Sequence, residues 1–255
     1  MDTHPAYNGG MLIALDAQGQ RVAAIQADKS QSYVCPSCAQ AVRLRAGSVR
    51  VHHFAHLAEN PTCPDHNETI DHLESKQQLH DALSKRYSCQ LELPIMGAKD
   101  ISGQIRRIDL AIKNKQGRSI AIEVQHSPID LALINNRNAI DQAHGFARTL
   151  WVFTARRLKF PRTDTEHRMP AEAIRLYRRQ GAIWCYDPDE ARLDRITWKP
   201  VERYVEPNDF YEGGFRTLKS TFQIRAIPVD PALLTWNSYN RKLGWWTDLV
   251  LSTAH

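Results

Sequence analysis

Two cysteines separated by two residues, Cys35 and Cys38, restrict the fold of this chain more than any other feature of its sequence. Three more potential metal ligands, His53, His56 and Cys63, follow closely enough for the chain to fold back on the cysteine pair. Zinc takes four thiolate or imidazole ligands in a tetrahedron, and a fully ligated zinc supports structure rather than chemistry. We therefore predict a small β-rich, zinc-ribbon-like module over residues 1–66 that holds a structural Zn²⁺.

Five candidate ligands compete for four positions around this metal. The spacing favours Cys35, Cys38 and Cys63 together with one histidine, and we prefer His56 to His53. The two histidines lie three residues apart on a predicted strand, so a regular strand would point them to opposite faces. In the alternative interpretation the cysteines are core thiols and the histidines lie at the surface.

Composition and charge narrow the class of protein only moderately. The chain has 255 residues, and its 33 Lys and Arg against 28 Asp and Glu give a formal net charge of +5, which suits a polyanionic partner without requiring one. Residues 1–10 lack the apolar stretch of a secretory signal, and no apolar run of roughly 18 residues occurs. We expect a cytoplasmic protein without a membrane span, where the Cys35–Cys38 pair favours metal over disulfides.

Hydrophobic periodicity predicts an α/β unit behind the zinc module. Residues 11–34 form a predicted hairpin, residues 40–56 short strands and residues 67–87 a helix. Three strands, a helix and a strand then follow at residues 90–94, 105–112, 119–125, 127–145 and 150–154. The second helix is predicted to begin at Ser127 and Pro128. Later signals are a helix at 171–180 and a strand at 182–186, and residues 200–255 show no clear period.

The first predicted helix carries charged residues in an unexpected place. Leu73, Leu79 and Leu83 form its apolar face, with Asp71 and Ser75 among the residues predicted to face solvent. Glu68, His72 and Lys76 project together along or beside the apolar stripe. Lys76 either reaches a catalytic site beneath the helix, or extends its ammonium to the surface over an aliphatic stem.

Two carboxylates fall on neighbouring predicted strands. Asp109 and Glu123 each oppose the apolar face of their strand, so a hairpin would bring them together. Adjacent carboxylates repel each other unless a cation lies between them, and Mg²⁺ prefers oxygen ligands. In the alternative, both residues lie on the solvated face of a half-exposed sheet.

These motifs, taken in order, resemble the PD-(D/E)XK nuclease superfamily and, more closely, the CoiA-like competence protein family. The resemblance covers roughly residues 10–155 and rests on Tyr33–Cys38, His53–His56, Glu68–His72 with Lys76, Arg107–Asp109, Glu123–Ser127 and Arg137. It implies a restriction-endonuclease-like α/β core over residues 67–155, behind the zinc module of residues 1–66. Beyond the part that the resemblance covers, residues 156–255 are predicted to form a C-terminal extension that packs on the core, with basic residues that suit either DNA phosphates or a solvated face.

The resemblance also implies roles for individual residues. Asp109 and Glu123 would hold Mg²⁺ or Mn²⁺, with Glu92 as a third ligand. Gln125 stands where the superfamily pattern has Lys, so Lys76 is expected to supply the missing positive charge from the helix. Lys76 and Gln125 together would place or polarise the attacking water. Beside Lys76, Glu68 and His72 complete the predicted catalytic row, with His72 orienting water or contacting phosphate. Arg107 and Arg137 are the predicted nucleic-acid contacts, although Arg137 could equally form a helix-surface salt bridge.

The sequence therefore predicts a metal-dependent nuclease that hydrolyses DNA phosphodiester bonds in uptake, recombination or defence. Its predicted partners are DNA and recombination or uptake proteins, and the oligomeric state is not indicated. The rival hypothesis is a nuclease-like fold that binds DNA or a protein partner without cleaving, which the Gln125 departure favours.

Overall fold

The computed structural model of the protein describes residues 10–66, 68–115, 117–159, 166–208, 212–231, 234–236 and 249–251. Contacts within the chain divide it into two units, Met1–Val124 with Asn136–Thr149 and Gln125–Asn135 with Leu150–His255. The described residues form mixed sheets with few helices. Within these residues, no helix is both long and apolar enough to cross a membrane.

The first unit begins with six short strands: β1 (Gly10–Met11), β2 (Ile13–Leu15), β3 (Arg21–Ala23), β4 (Tyr33–Val34), β5 (Ala41–Arg45) and β6 (His53–His56). They form one antiparallel sheet in the order β1-β6-β5-β4-β2-β3. Asp16 closes the β2–β3 turn, because its carboxylate accepts the backbone N–H groups of Gln18 and Gln20. The predicted hairpin and short strands of this region are confirmed.

Gly10 is buried where β1 pairs with β6, and the site has no room for a side chain. An added methyl group would lie 2.7 Å from His53 Cδ2 and 2.9 Å from the Phe54 carbonyl oxygen. We expect Gly10→Ala to lower the free energy of unfolding by about 1–3 kcal/mol, as overpacking does, measured by chemical denaturation. Gly47→Ala is the control, because a methyl group there meets open space. Equal losses in the two variants would contradict the prediction.

Helix α1 (Ile70–Ser84) follows a 3-10 turn at Pro64–His66, and the Thr69 hydroxyl caps it by accepting the His72 N–H at 3.3 Å. Its apolar face is buried as predicted, with Leu73, Leu79 and Leu83 at most 2% exposed. The prediction that Asp71 and Ser75 face solvent is wrong, since both are buried. The reason is that strands cover α1 on more than one side, which a single amphipathic stripe does not reveal.

Three antiparallel strands follow α1: β7 (Ser88–Lys99), β8 (Ile105–Lys113) and β9 (Ser119–Gln125), which are neighbours in the order β9-β8-β7. The predicted β8–β9 hairpin is confirmed, with Leu110 opposite Ile122 and Ile112 opposite Ile120. Asn114 stabilises its turn by accepting the Arg118 N–H at 2.9 Å. The β8–β9 hairpin carries the polar side chains of the candidate site.

Helix α2 (Leu131–Ala143) begins later than predicted. Ser127 and Pro128 precede the helix, whereas Asp130 caps it by accepting the Ala132 N–H at 2.6 Å. The helix therefore begins after Asp130, whose side chain satisfies an otherwise unbonded N–H of the first turn, and not after Ser127. Strand β10 (Phe146–Thr154) follows, so the predicted order of helix, three strands, helix and strand is confirmed.

The second unit contains α3 (Ala155–Leu158), β11 (Glu166–Arg168), α4 (Ala171–Gln180), β12 (Ile183–Asp187), β13 (Arg192–Val205), β14 (Gly214–Val229), β15 (Leu234–Trp236) and β16 (Leu249–Leu251). Its main sheet has the order β11-β14-β13-β12-β10, in which β10 and β12 run parallel. The predictions of α4 and β12 are confirmed. The long β13–β14 pair was missed, because its exposed outer half lacks a regular apolar period.

Candidate functional site

Four of the five predicted zinc ligands meet in the first unit. The ligand atoms of Cys35, Cys38, His56 and Cys63 all lie within 4.8 Å of one another. The sulfurs of Cys35 and Cys63 are 3.7 Å apart, and Cys38 Sγ lies 3.3 Å from His56 Nε2. A tetrahedral zinc with bonds near 2.3 Å separates its sulfur ligands by about 3.8 Å. The cluster therefore fits a zinc ion.

Position along β6 decides between the two histidines. His56 belongs to the cluster, whereas the Nδ1 atom of His53 lies 2.9 Å from the Val51 carbonyl oxygen. This separation agrees with strand alternation, which points residues three apart to opposite faces. Of the five candidates, His53 is the one that the structure leaves outside this cluster.

The environment of the cluster is unfavourable for bare thiolates. Burial raises the pKa of Cys63 to about 11, and burial together with the neighbouring Asp65 raises the pKa of Cys35 further. Metal binding requires deprotonated cysteines, so an incoming zinc must displace these protons. The affinity for zinc should consequently rise with pH.

Asp65 is a buried carboxylate beside the zinc cluster that sequence reasoning missed. The Cys35 thiol lies 3.3 Å from Asp65 Oδ2, and Arg107 donates to Asp65 Oδ1. Burial alone would raise the pKa of Asp65, but the Arg107 guanidinium and the side-chain hydrogen bonds of Ser37 and Cys35 together lower it. No local pattern marks an aspartate two residues after Cys63 as buried.

Asp109 and Glu123 meet on the β8–β9 hairpin. The strands pair Leu110 with Ile122, and Asp109 and Glu123 are the next residues along β8 and β9 beside that pair. Each of the two is at most 9% exposed. Asp109 Oδ2 accepts the Val124 N–H at 2.8 Å, and Glu123 Oε1 accepts the Asp109 N–H at 3.3 Å. Each carboxylate therefore reaches across to the other strand, and the oxygen-only donor set fits a hard divalent cation.

The two carboxylates differ in their preferred charge. Burial opposes ionisation of Asp109, but His72 and Lys76 outweigh it and hold the Asp109 pKa well below its usual range. Burial raises the pKa of Glu123, and the nearby Asp109 carboxylate raises it further against the effect of Arg106. The ionised form of Asp109 is therefore stabilised, whereas that of the adjacent Glu123 is destabilised.

The charged row of α1 reaches these strands. Lys76 is fully buried, and its ammonium donates to Glu68 Oε2 at 2.5 Å and to Glu92 Oε1 at 2.6 Å. It lies 3.9 Å from Asp109 Oδ1. Burial alone would lower the pKa of Lys76, but Glu68 and Glu92 raise it, so Lys76 stays protonated. The ammonium thus lies among carboxylates rather than at the surface.

His72 joins the same cluster between two carboxylates. Its Nε2 atom lies 3.4 Å from Asp109 Oδ2, and its Nδ1 atom lies 3.5 Å from Glu68 Oε2. Burial would lower the pKa of His72, but the Asp109 and Glu68 carboxylates outweigh it and raise that pKa. A protonated His72 can therefore hold Asp109 in a fixed orientation.

Glu92, the predicted third magnesium ligand, is held by the protein itself. The backbone of Glu92 has a positive φ of +50° on β7. The Glu92 carboxylate accepts the backbone N–H groups of Leu12 and Ile13, both at 3.2 Å. Burial would raise the Glu92 pKa, but Lys76 and Arg107 lower it. Its oxygens thus link the first strands of the chain to Lys76.

The two predicted nucleic-acid contacts have different environments. Arg107 donates to Asp65 and to Glu68 Oε1 at 2.7 Å, and its side chain is 16% exposed. Arg137 donates through Nε to Asp100 at 3.0 Å and through Nη1 to Glu123 at 3.4 Å. Gln125 is buried, and its amide donates to the Ser127 carbonyl oxygen.

Arg106 is a second residue that sequence reasoning missed. It is 1% exposed, donates to both oxygens of the buried Asp141 at 2.9 and 2.7 Å, and lies 3.0 Å from Glu123 Oε1. A signal was available, because Arg106 is in phase with Ile108 and therefore predicted to be buried. Arg106 fixes the position of Glu123.

Comparison with known families adds two matches. A family model described as competence protein CoiA, N-terminal domain, matches residues 17–65, and one described as competence protein CoiA, nuclease-like domain, matches residues 68–200. The second match alone spans more than half of the 255 residues and includes the whole carboxylate cluster of β7, β8 and β9. No curated protein matches the chain.

Proposed function

This chain belongs to the CoiA competence protein family, and we propose that it is a metal-dependent nuclease that hydrolyses phosphodiester bonds of DNA. In this proposal Asp109 and Glu123 hold Mg²⁺ or Mn²⁺. The main support is that these two buried carboxylates meet on neighbouring strands with the Lys76 ammonium 3.9 Å from Asp109. A bound divalent cation would neutralise charge on a phosphoryl oxygen and acidify water.

We further propose a PD-(D/E)XK core over residues 67–155, with a zinc module at 1–66 and a C-terminal extension at 156–255. The order α1, β7, β8, β9, α2, β10 supports this division. The zinc would be structural, because four protein ligands leave no open position.

The positively charged side chains beside Asp109 stabilise negative charge in the site and do not remove protons. Lys76 remains protonated between Glu68 and Glu92, so it cannot act as a base. Its ammonium instead offsets negative charge near Asp109, which compensates for Gln125 in the place of the usual lysine. His72 fixes Asp109, and Glu68 fixes both His72 and Lys76.

Arg137 is the proposed phosphate contact. Among the contacts of the described residues, its guanidinium uses Nε for Asp100 and Nη1 for Glu123, so Nη2 can donate to a phosphate oxygen. Its side chain is 23% exposed, compared with 16% for Arg107. Arg137 is therefore the better placed of the two predicted arginines.

The proposal is tested by replacing Asp109 with asparagine. Asparagine keeps an oxygen that accepts the Val124 N–H but loses the charge that binds metal, so cleavage should fall by about a thousandfold or more. The assay uses linear, circular and single-stranded DNA with Mg²⁺ or Mn²⁺. Asp189→Asn, a change at an exposed turn, is the control and should cleave at the wild-type rate. Equal cleavage by wild type, Asp109→Asn and Asp189→Asn would show that the activity comes from a contaminating nuclease.

One observation favours a rival function, the binding of DNA without cleavage. Gln125 carries no charge and its amide is already bonded to the Ser127 carbonyl. Binding measured by fluorescence anisotropy, with no cleavage in any divalent cation, would support this rival and refute the nuclease proposal.

A further inference from the structure

A row of alternating charges connects the zinc cluster to the proposed catalytic site. Cys35 Sγ lies 3.3 Å from Asp65 Oδ2, and Arg107 joins Asp65 to Glu68. Glu68 Oε2 then accepts the Lys76 ammonium at 2.5 Å. All of these residues belong to the first unit. The contacts therefore form a continuous path from a zinc ligand to the charged row of α1.

The path is well suited to transmit a change in charge. Asp65 and Lys76 are fully buried, and Arg107 is mostly buried, so water screens their interactions weakly. A guanidinium is a planar fork, and Arg107 uses its two Nη groups to hold two different carboxylates. A displacement of Asp65 must therefore alter how Arg107 holds Glu68.

Zinc binding changes the partners of Asp65. Without metal, the Cys35 thiol can donate its proton to Asp65 Oδ2. A zinc-bound cysteine has lost that proton, so the contact between Cys35 and Asp65 can no longer be a hydrogen bond. The Asp65 carboxylate then lies beside a zinc-bound thiolate and keeps the Arg107 guanidinium and a side-chain hydrogen bond with Ser37.

We propose that Asp65 and Arg107 are positioning residues that hold Glu68 and Lys76 in place and make this arrangement depend on occupancy of the zinc cluster. The catalytic consequence rests on the proposed nuclease function, whereas the link to zinc does not. Arg107 thus serves inside the protein rather than as a DNA contact.

Zinc affinity provides the first test, measured by competition with a chromophoric chelator. Arg107→Met should weaken zinc binding by roughly tenfold or more, because it leaves the Asp65 carboxylate uncompensated 3.3 Å from the Cys35 sulfur, where it repels a zinc-bound thiolate. Arg107 is decisive, because it bonds to Asp65 and Glu68 rather than to any of the four ligands. Adding Asp65→Asn to Arg107→Met should restore part of the zinc affinity, since it removes the uncompensated carboxylate.

Cleavage kinetics provide the second test. Asp65→Asn and Arg107→Met should lower kcat by roughly tenfold or more while KM for DNA stays within about twofold, because substrate contacts are unaffected. Arg107→Lys should recover part of both losses, since it keeps the charge but not the fork. The control Asp81→Asn changes an exposed carboxylate on α1 and should match wild type in both assays.

The two assays separate failure of the inference from failure of the function. Unchanged zinc affinity in folded Arg107→Met, or in Arg107→Gln if the first variant does not fold, overturns the proposed link. A wild-type protein that cleaves no DNA refutes the nuclease proposal, and the zinc competition then decides the link alone. Altered zinc affinity with wild-type kcat overturns the positioning role.

Discussion

Cys63→Ser protein should be isolated without zinc and should melt well below the wild-type protein. Cys63 is 3% exposed, and its sulfur lies 3.7 Å from that of Cys35, so it contributes to the centre of the cluster. Zinc present at roughly a thousand times its dissociation constant stabilises the folded state by about 4 kcal/mol. For a chain of this size the melting temperature should fall by roughly 8–16 °C.

The control for this prediction is Cys89→Ser. Cys89 is half-buried on β7 and lies outside the cluster, so this variant should retain its zinc. Metal analysis and calorimetry measure the two quantities. A Cys63→Ser protein with a full equivalent of zinc, or wild-type protein whose melting is unaffected by a chelator, would contradict the assignment.

Lys76→Met should lower the free energy of unfolding by about 3–5 kcal/mol, the usual cost of removing one partner from a buried ion pair. The change leaves Glu92, which is 1% exposed, without its ammonium partner, and removes the same partner from Glu68. Chemical denaturation measures the loss. Lys85→Met, at an exposed position just after α1, is the control and should change stability by less than about 0.5 kcal/mol.

Adding Glu92→Gln to Lys76→Met should restore part of the lost stability, because the second change removes the uncompensated charge. Equal stability of wild type and Lys76→Met would show that the buried cluster does not need this ammonium. Because Lys76 is buried, a loss of activity in Lys76→Met could reflect unfolding. Lys76→Met must therefore be assayed well below its melting temperature, beside Lys76→Arg, which keeps the charge.

Much of the fold could be predicted because periodicity is a local property. The alternation along β8 and β9 placed Asp109 and Glu123 opposite an apolar face, and the structure brings them together at the hairpin. The start of α2 was predicted less well, since Ser127 and Asp130 are both good capping residues and only the backbone geometry chooses between them. The exposed half of β13 and β14 gives no periodic signal.

The sequence by itself determined the order of helices and strands up to residue 154, the set of possible zinc ligands and the unusual position of Lys76 within the apolar stripe of an amphipathic helix. Only the tertiary structure decided that His56 rather than His53 joins the cysteines, and that Arg107 is held by Asp65 and Glu68. Periodicity specifies which face a side chain leaves. It does not specify which charged group, some 40 residues away in the chain, meets that side chain where water is excluded.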